Sequence, residues 1–265
     1  MFLQLIKDLT SFPKWGSGIG SVWGRNFLYF KYTFLITVFW VIIEPSLYLF
    51  AIGKGIGVFV GDIDGRSYLE FFFPALLCTT GMLVAFFEST YASFTRMHHQ
   101  KTFDTILLTP ITADEIGLAE ILWATSKGFL GILGVLLISS FLGLVNSVWI
   151  LPCLLILFLN CWIFASLGIL VTATVKHWDT FIYVQSGFVI PMSLFSGTYF
   201  PLYTLPDWIQ SFAYLLPLTH SVMAVRSILD NEFTPLLVLN IGALLFLAII
   251  LSNLAIARLR RRIVV

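Results

Sequence analysis

Between Gly128 and Val175 the chain carries no charged residue. An α-helix needs roughly 20 residues to cross the ~30 Å hydrocarbon core of a bilayer. The run is too long for one crossing and predicts two membrane-spanning helices, divided near Asn146. The rest of the chain has the same character: 58% of its 265 residues are hydrophobic, 11% are charged, and the mean hydropathy is +0.94. A soluble domain holds roughly 45–50% apolar residues. The expected fold class is therefore an all-α integral membrane bundle, a single domain over 1–265 with six transmembrane helices.

The spans are expected at about 32–52, 71–87, 117–142, 148–175, 181–198 and 235–257. Pro45, following Glu44 in the first, removes a backbone donor and should kink it. Residues 1–31 should form an interface helix and lead-in: Phe2, Leu5, Ile6 and Leu9 recur at helical spacing opposite Gln4, Lys7 and Asp8. The Gly/Ser stretch 16–21 should break that helix, and Lys7 and Asp8 interrupt what a signal peptide would require. Asp62 and Asp64, in a loop of glycines and charges over 53–70, suit turns better than a metal site. With the N-terminus inside, the inner segments hold eleven Lys and Arg residues, including the basic tail at 258–265, and the outer segments hold Lys54, Arg66 and Arg226. Basic segments stay cytoplasmic, so both termini are expected inside, as is the long polar stretch 88–115.

Charges inside a membrane cost a few kcal/mol unless paired or wet. Glu44, Glu88, Glu120 and Lys127 are the suspects; Glu88 and Glu120 should lie near cytoplasmic ends, and Lys127 should pair with a carboxylate on another helix. Gly128, Gly131 and Gly134 should allow close helix approach. Cys78, Cys153 and Cys161 read as small core hydrophobes. The four histidines form no ligand set, and no P-loop, H-E-x-x-H or G-x-S-x-G motif occurs, so neither a metal site nor a catalytic residue is expected. A net charge of +1 gives no reason to expect nucleic acid as a partner.

Two segments stand out. A short cytoplasmic helix over about 99–108, stopped by Pro110, puts Phe103, Ile106 and Leu107 on one face, which must either pack on the bundle or enter a groove on a partner. The segment 196–220 is apolar but interrupted by Pro201, Pro206 and Pro217; its longest helix, about 207–216, rises roughly 15 Å and cannot span. It should be re-entrant or lie on the outer surface, with Trp208, Phe212 and Leu215 on one face and Tyr199, Tyr203 and Tyr214 at headgroup level, as an anchoring belt or a gate.

The stretches FFFPALLCTTGM (71–82), FESTYASFTRMHHQKTFDTILLTPITADEIGLAEILWATSKG (87–128), SGTYFPLYTLPDWIQ (196–210) and LLPLTHSVMAVR (215–226) resemble ABC-2 type transporter permeases, in particular the branch of nodulation-type lipo-oligosaccharide exporters. The resemblance implies a permease subunit rather than an enzyme, placed in the bacterial cytoplasmic membrane. It also implies a pair of such subunits, two copies of a separate ATPase that holds ATP and Mg, and an amphiphilic or lipid-linked saccharide as cargo. It makes His99, Lys101, Thr102, Phe103, Asp104, Ile106 and Leu107 a coupling helix for the ATPase. Tyr199, Phe200, Pro201, Tyr203, Pro206, Trp208, Phe212 and Tyr214 become outer re-entrant or gate residues. Relatives with other cargo, such as drugs, keep the substrate open. An ion- or proton-coupled transporter with Glu44 and Lys127 as relay is the alternative from another class, and a membrane-embedded transferase is a third reading.

Overall fold

The computed structural model describes residues 13–145 and 147–264. The helix expected from Phe2 to Leu9 and the dividing residue Asn146 lie outside them. Besides short 3-10 turns at Trp178–Thr180 and Leu202–Thr204, ten helical segments and one hairpin follow in chain order among the described residues: α1 Gly18–Tyr32, α2 Phe34–Val60, the β1 Asp62–Ile63 and β2 Arg66–Ser67 hairpin, α3 Tyr68–His99, α4 Thr102–Leu107, α5 Ala113–Phe141, α6 Ile150–Thr172, α7 (181–195), α8 Asp207–Ala213, α9 Pro217–Leu229 and α10 Pro235–Ile263. Five of these, α2, α3, α5, α6 and α10, are long and apolar enough to cross a bilayer.

Several boundaries differ from the expected ones. The Gly/Ser stretch 16–21 starts a helix instead of ending one: α1 buries Val22, Asn26 and Phe30, four residues apart, against the start of α5. Helix α2 runs on through the glycines to Val60, loosened by wide π-type turns at Phe39–Ile43 and Leu49–Ile56 that flank Pro45. The loop expected over 53–70 shrinks to the hairpin, whose Asp64-Gly65 corner has positive φ at both residues, the geometry that two-residue hairpin turns require. Helix α3 keeps going through the polar stretch to His99, because Glu88, Ser89, Thr90, Ser93 and Arg96 face inward and satisfy one another or the backbone. The tail beyond Ala257 remains helical to Ile263 and is tied down through Arg260 and Arg262.

Capping fixes where the central helices start. Ser67 and Glu70 form a reciprocal capping box at α3, and Thr112 and Glu115 form another at α5. Helices α3, α5 and α6 make the core, with Cys78, Cys153 and Cys161 buried and unbridged among them. Close approach needs the glycines: a Cβ on Gly128 would stand 3.0 Å from the Gly81 carbonyl, and one on Gly131 would stand 2.7 Å from Val41. Helix α2 is peripheral by contrast; 17% of its apolar window is buried against 72% for α3.

Contacts sort the connections into two ends. At one end Arg260 of α10 bonds Asp114 of α5, Gly18 of α1 donates to Glu115, and Arg262 bonds His98 and the Thr172 carbonyl. Helix α4 lies at this end. At the other, Arg66 of the hairpin pairs with Asp230 after α9, and Tyr68 donates to the Tyr199 carbonyl. The segment expected to be re-entrant or to lie on the outer surface holds two helices, α8 and α9, meeting at 87° across Pro217. Its second arm extends to Leu229, beyond the expected limit at 220, because α9 buries a full face that includes Leu218, Val222 and Val225.

Candidate functional site: a buried ion cluster beneath a membrane cavity

On α3, Glu88 and Arg96 are eight residues apart and face the same side; on α5, Glu120, Trp123 and Lys127 share another at spacings of three and four. Packing α3 on α5 brings the two rows together. Lys127 Nζ donates to Glu88 Oε2 at 2.6 Å, and Trp123 Nε1 and Arg96 Nη1 donate to Glu88 Oε1 at 2.8 and 3.1 Å. Arg96 also grips Glu120 Oε2 through Nη2 at 2.6 Å and Nε at 3.0 Å. Ser93 Oγ donates to the same oxygen at 2.6 Å, and Asn26 of α1 donates to Glu120 Oε1 at 3.0 Å. Within α3 and α5 two carboxylates and two cations thus cancel, a third cation, Arg25 of α1, stands 3.9 Å from Glu120 Oε1, and every oxygen has a partner. That satisfaction is what makes buried charge tolerable, since an unpaired ion costs several kcal/mol.

The expected cross-helix partner of Lys127 is Glu88. Arg96 and Glu120 carry as much of the cluster, although in the sequence Arg96 counts only among the Lys and Arg residues of the inner segments. Helical spacing of polar residues on both helices was the available signal.

Above the cluster lies a cavity of about 580 Å³ between α2, α3, α5 and α7. Glu88 and Lys127 form part of its wall, with Thr79, Thr80, Tyr91 and Gln185, and it reaches Tyr48 and Tyr199 towards the hairpin end. Tyr91 donates to Gln185 Oε1 at 3.1 Å, which closes one side. Glu44 also lines it, but differs from Glu88: it is exposed on α2 among Trp40, Ile43 and Leu47, and has no hydrogen-bond or ion-pair partner among the described residues.

The 99–108 segment differs from expectation in both extent and face. His99 ends α3 and packs its ring near Phe94 and Trp178; Lys101 adopts a left-handed conformation with φ 52°; and the helix proper is Thr102–Leu107. Phe103 is fully buried in the core, and Ile106 and Leu107 are half-buried, so the apolar ridge packs on its own bundle. The outward stripe is Lys101, Asp104, Thr105 and Leu108, with Leu108 88% exposed.

Of the outer residues, Tyr203, Pro206, Trp208, Phe212 and Tyr214 are exposed, while Tyr199, Phe200 and Pro201 are half-buried. Tyr203 donates to Asp64 of the hairpin at 3.0 Å, a bond that holds its phenol above the usual range.

Residues 18–229 match the ABC-2 type transporter family. The chain belongs to that family. It is 36% identical over 243 residues to nodulation protein J of Rhizobium meliloti (strain 1021), covering 92% of this chain and 93% of the relative. It is 34% identical to nodulation protein J of Rhizobium leguminosarum bv. viciae, covering 96% and 98%. The inner membrane transport permease YadH of Escherichia coli (strain K12) is 24% identical over 78% of this chain and 80% of its own length. No solved structure matches. The ABC-2 permease is thus a multi-pass membrane transport protein, and the family implies an ATPase partner.

Proposed function

We propose that this permease works as a pair of copies bound to two copies of a separate ATPase, which holds ATP and Mg. The cargo is an amphiphilic, lipid-linked saccharide exported across the bacterial inner membrane. The observation that carries the reading is the cavity of about 580 Å³ between α2, α3, α5 and α7, bounded by rings, hydroxyls and an ion pair. Such a lining suits a molecule with both an apolar and a polar part. The saccharide class rests on the resemblance to lipo-oligosaccharide exporters.

Helix α7 is the sixth crossing in this reading. Its 15 residues rise about 22 Å, short of the ~30 Å core. It starts where Phe181 packs on Tyr91 and Phe94 of α3, and it leads to Tyr199, which is bonded to Tyr68 at the opposite end. The described residues then begin and end at the α4 end, the basic and cytoplasmic one. A second copy would cover α2, whose exposed face of Phe39, Trp40 and Leu47 surrounds the unpaired Glu44.

Coupling would pass through the outward stripe of α4. Co-expression with candidate ATPase subunits, purification through a tag on this chain, and vanadate-sensitive hydrolysis in lipid discs test it. Co-purification of an active ATPase, lost in Leu108→Asp with normal membrane accumulation, is the expected result. Absence of any ATPase partner, with solute movement driven by an ion gradient alone, would overturn it and return attention to Glu44 and Lys127.

A further inference from the structure

Arg226 lies in the last turn of α9, half-buried against the first turn of α3. Its Nη2 donates to the Phe71 carbonyl at 3.0 Å, and its guanidinium carbon sits 3.9 Å over the Phe71 ring. Among the described residues it forms no ion pair, and its Nε is buried without an acceptor. Arginine does not give up its proton in a protein. A carbonyl and a ring face offset only part of the cost of burying that charge.

The nearby acids are committed elsewhere. Asp230 is paired with Arg66, and Glu70 accepts from the Ser67 amide and hydroxyl in the cap of α3. These groups wall a cavity of about 230 Å³ with Arg226 inside it and Arg66 at its rim. Phe71 is one turn from the hairpin, so the cavity lies near the end of the bundle, at headgroup depth.

We propose that this cavity binds a phosphate-type oxyanion, with Arg226 as the buried fork and Arg66 as the outer contact. Planar guanidinium donors match tetrahedral oxyanions two at a time. Two sources share this chemistry: the phosphodiester of an anionic lipid in the surrounding membrane, and free inorganic phosphate.

The test uses the full chain in phosphatidylcholine discs. Thermal unfolding is followed while phosphatidylglycerol is added to the discs, or inorganic phosphate to the buffer. A rise in Tm with the lipid alone assigns a membrane phosphodiester; a rise with phosphate in neutral discs assigns a soluble anion; either supports the site. Arg226→Gln should lose the rise, whereas Arg258→Gln, in the basic tail at the opposite end, should keep it. Asp230→Asn frees Arg66 to join the anion and should lower the half-saturating concentration. No rise in the wild type with either probe would overturn the proposal, as would an equal rise in Arg226→Gln. A Tm loss in Asp230→Asn that neither probe restores would make Asp230 the counter-ion and overturn it too. Should Arg226→Gln fail to fold, the wild-type and Asp230→Asn measurements decide alone.

Discussion

Lys127 and Glu88 meet across two helices, 39 residues apart in sequence, with 2.6 Å between ammonium and carboxylate. The other oxygen of that carboxylate is already taken by Arg96 and Trp123. Lys127→Met therefore leaves Glu88 paired but short of one strong donor beside the cavity. The expected loss is about 1–3 kcal/mol, read by thermal unfolding in detergent. The Glu88→Gln/Lys127→Met double variant should recover part of it, and strictly additive losses would contradict the pairing.

Arg96 is the harder residue to replace. Its guanidinium bridges both carboxylates, so Arg96→Gln leaves two buried acids facing Lys127 and, 3.9 Å from Glu120, the partly exposed Arg25. A loss of about 3–5 kcal/mol is expected, enough to abolish accumulation in the membrane, and near-normal stability would show that the cluster is wet.

Gly168 of α6 faces α3 so closely that a Cβ there would overlap Ser89 Oγ and stand 3.1 Å from the Phe86 carbonyl. Gly168→Ala should destabilise by about 1–3 kcal/mol through overpacking. Ser89→Ala removes the overlapping hydroxyl, whose bonds are only to its own helix, and should return part of the loss when combined. No rescue in the double variant would place the strain in the backbone instead.

The two faces of α4 should give different phenotypes. Phe103→Ala empties a fully buried site and should cost about 3–5 kcal/mol, lowering the amount of folded permease. Asp104→Lys reverses an exposed charge beside Lys101 and should leave the folded amount unchanged while weakening ATPase recruitment. Equal folded yield for both variants would show that Phe103 is not a core residue.

The sequence made the class of fold plain, because uncharged runs such as 128–175 admit no other solvent than lipid. It also singled out Glu44, Glu88, Glu120 and Lys127 as charges in need of partners, which all but Glu44 find among the described residues, and Asp64 as a turn residue. It did not reveal the extent of α3, since a polar stretch is read as solvated unless its partners are known, and those partners lie on α5, α6 and α7. Phe103 misled for a related reason: periodicity shows that a face is apolar but not which surface it meets. The 87° joint at Pro217 lay within a segment where prolines promised a break, although nothing local indicated that the second arm would be core.

Glu88, Glu120, Arg96 and Lys127 sum to zero within the packed pair of α3 and α5, and the further cation on Glu120, Arg25, belongs to α1. A membrane potential does work of about 2.3 kcal/mol per elementary charge per 100 mV on charge carried across it. A neutral cluster moving as one body takes almost none of that work. Rocking of α3 and α5 should therefore be nearly blind to the voltage of the membrane it crosses, leaving its timing to whatever presses on α4.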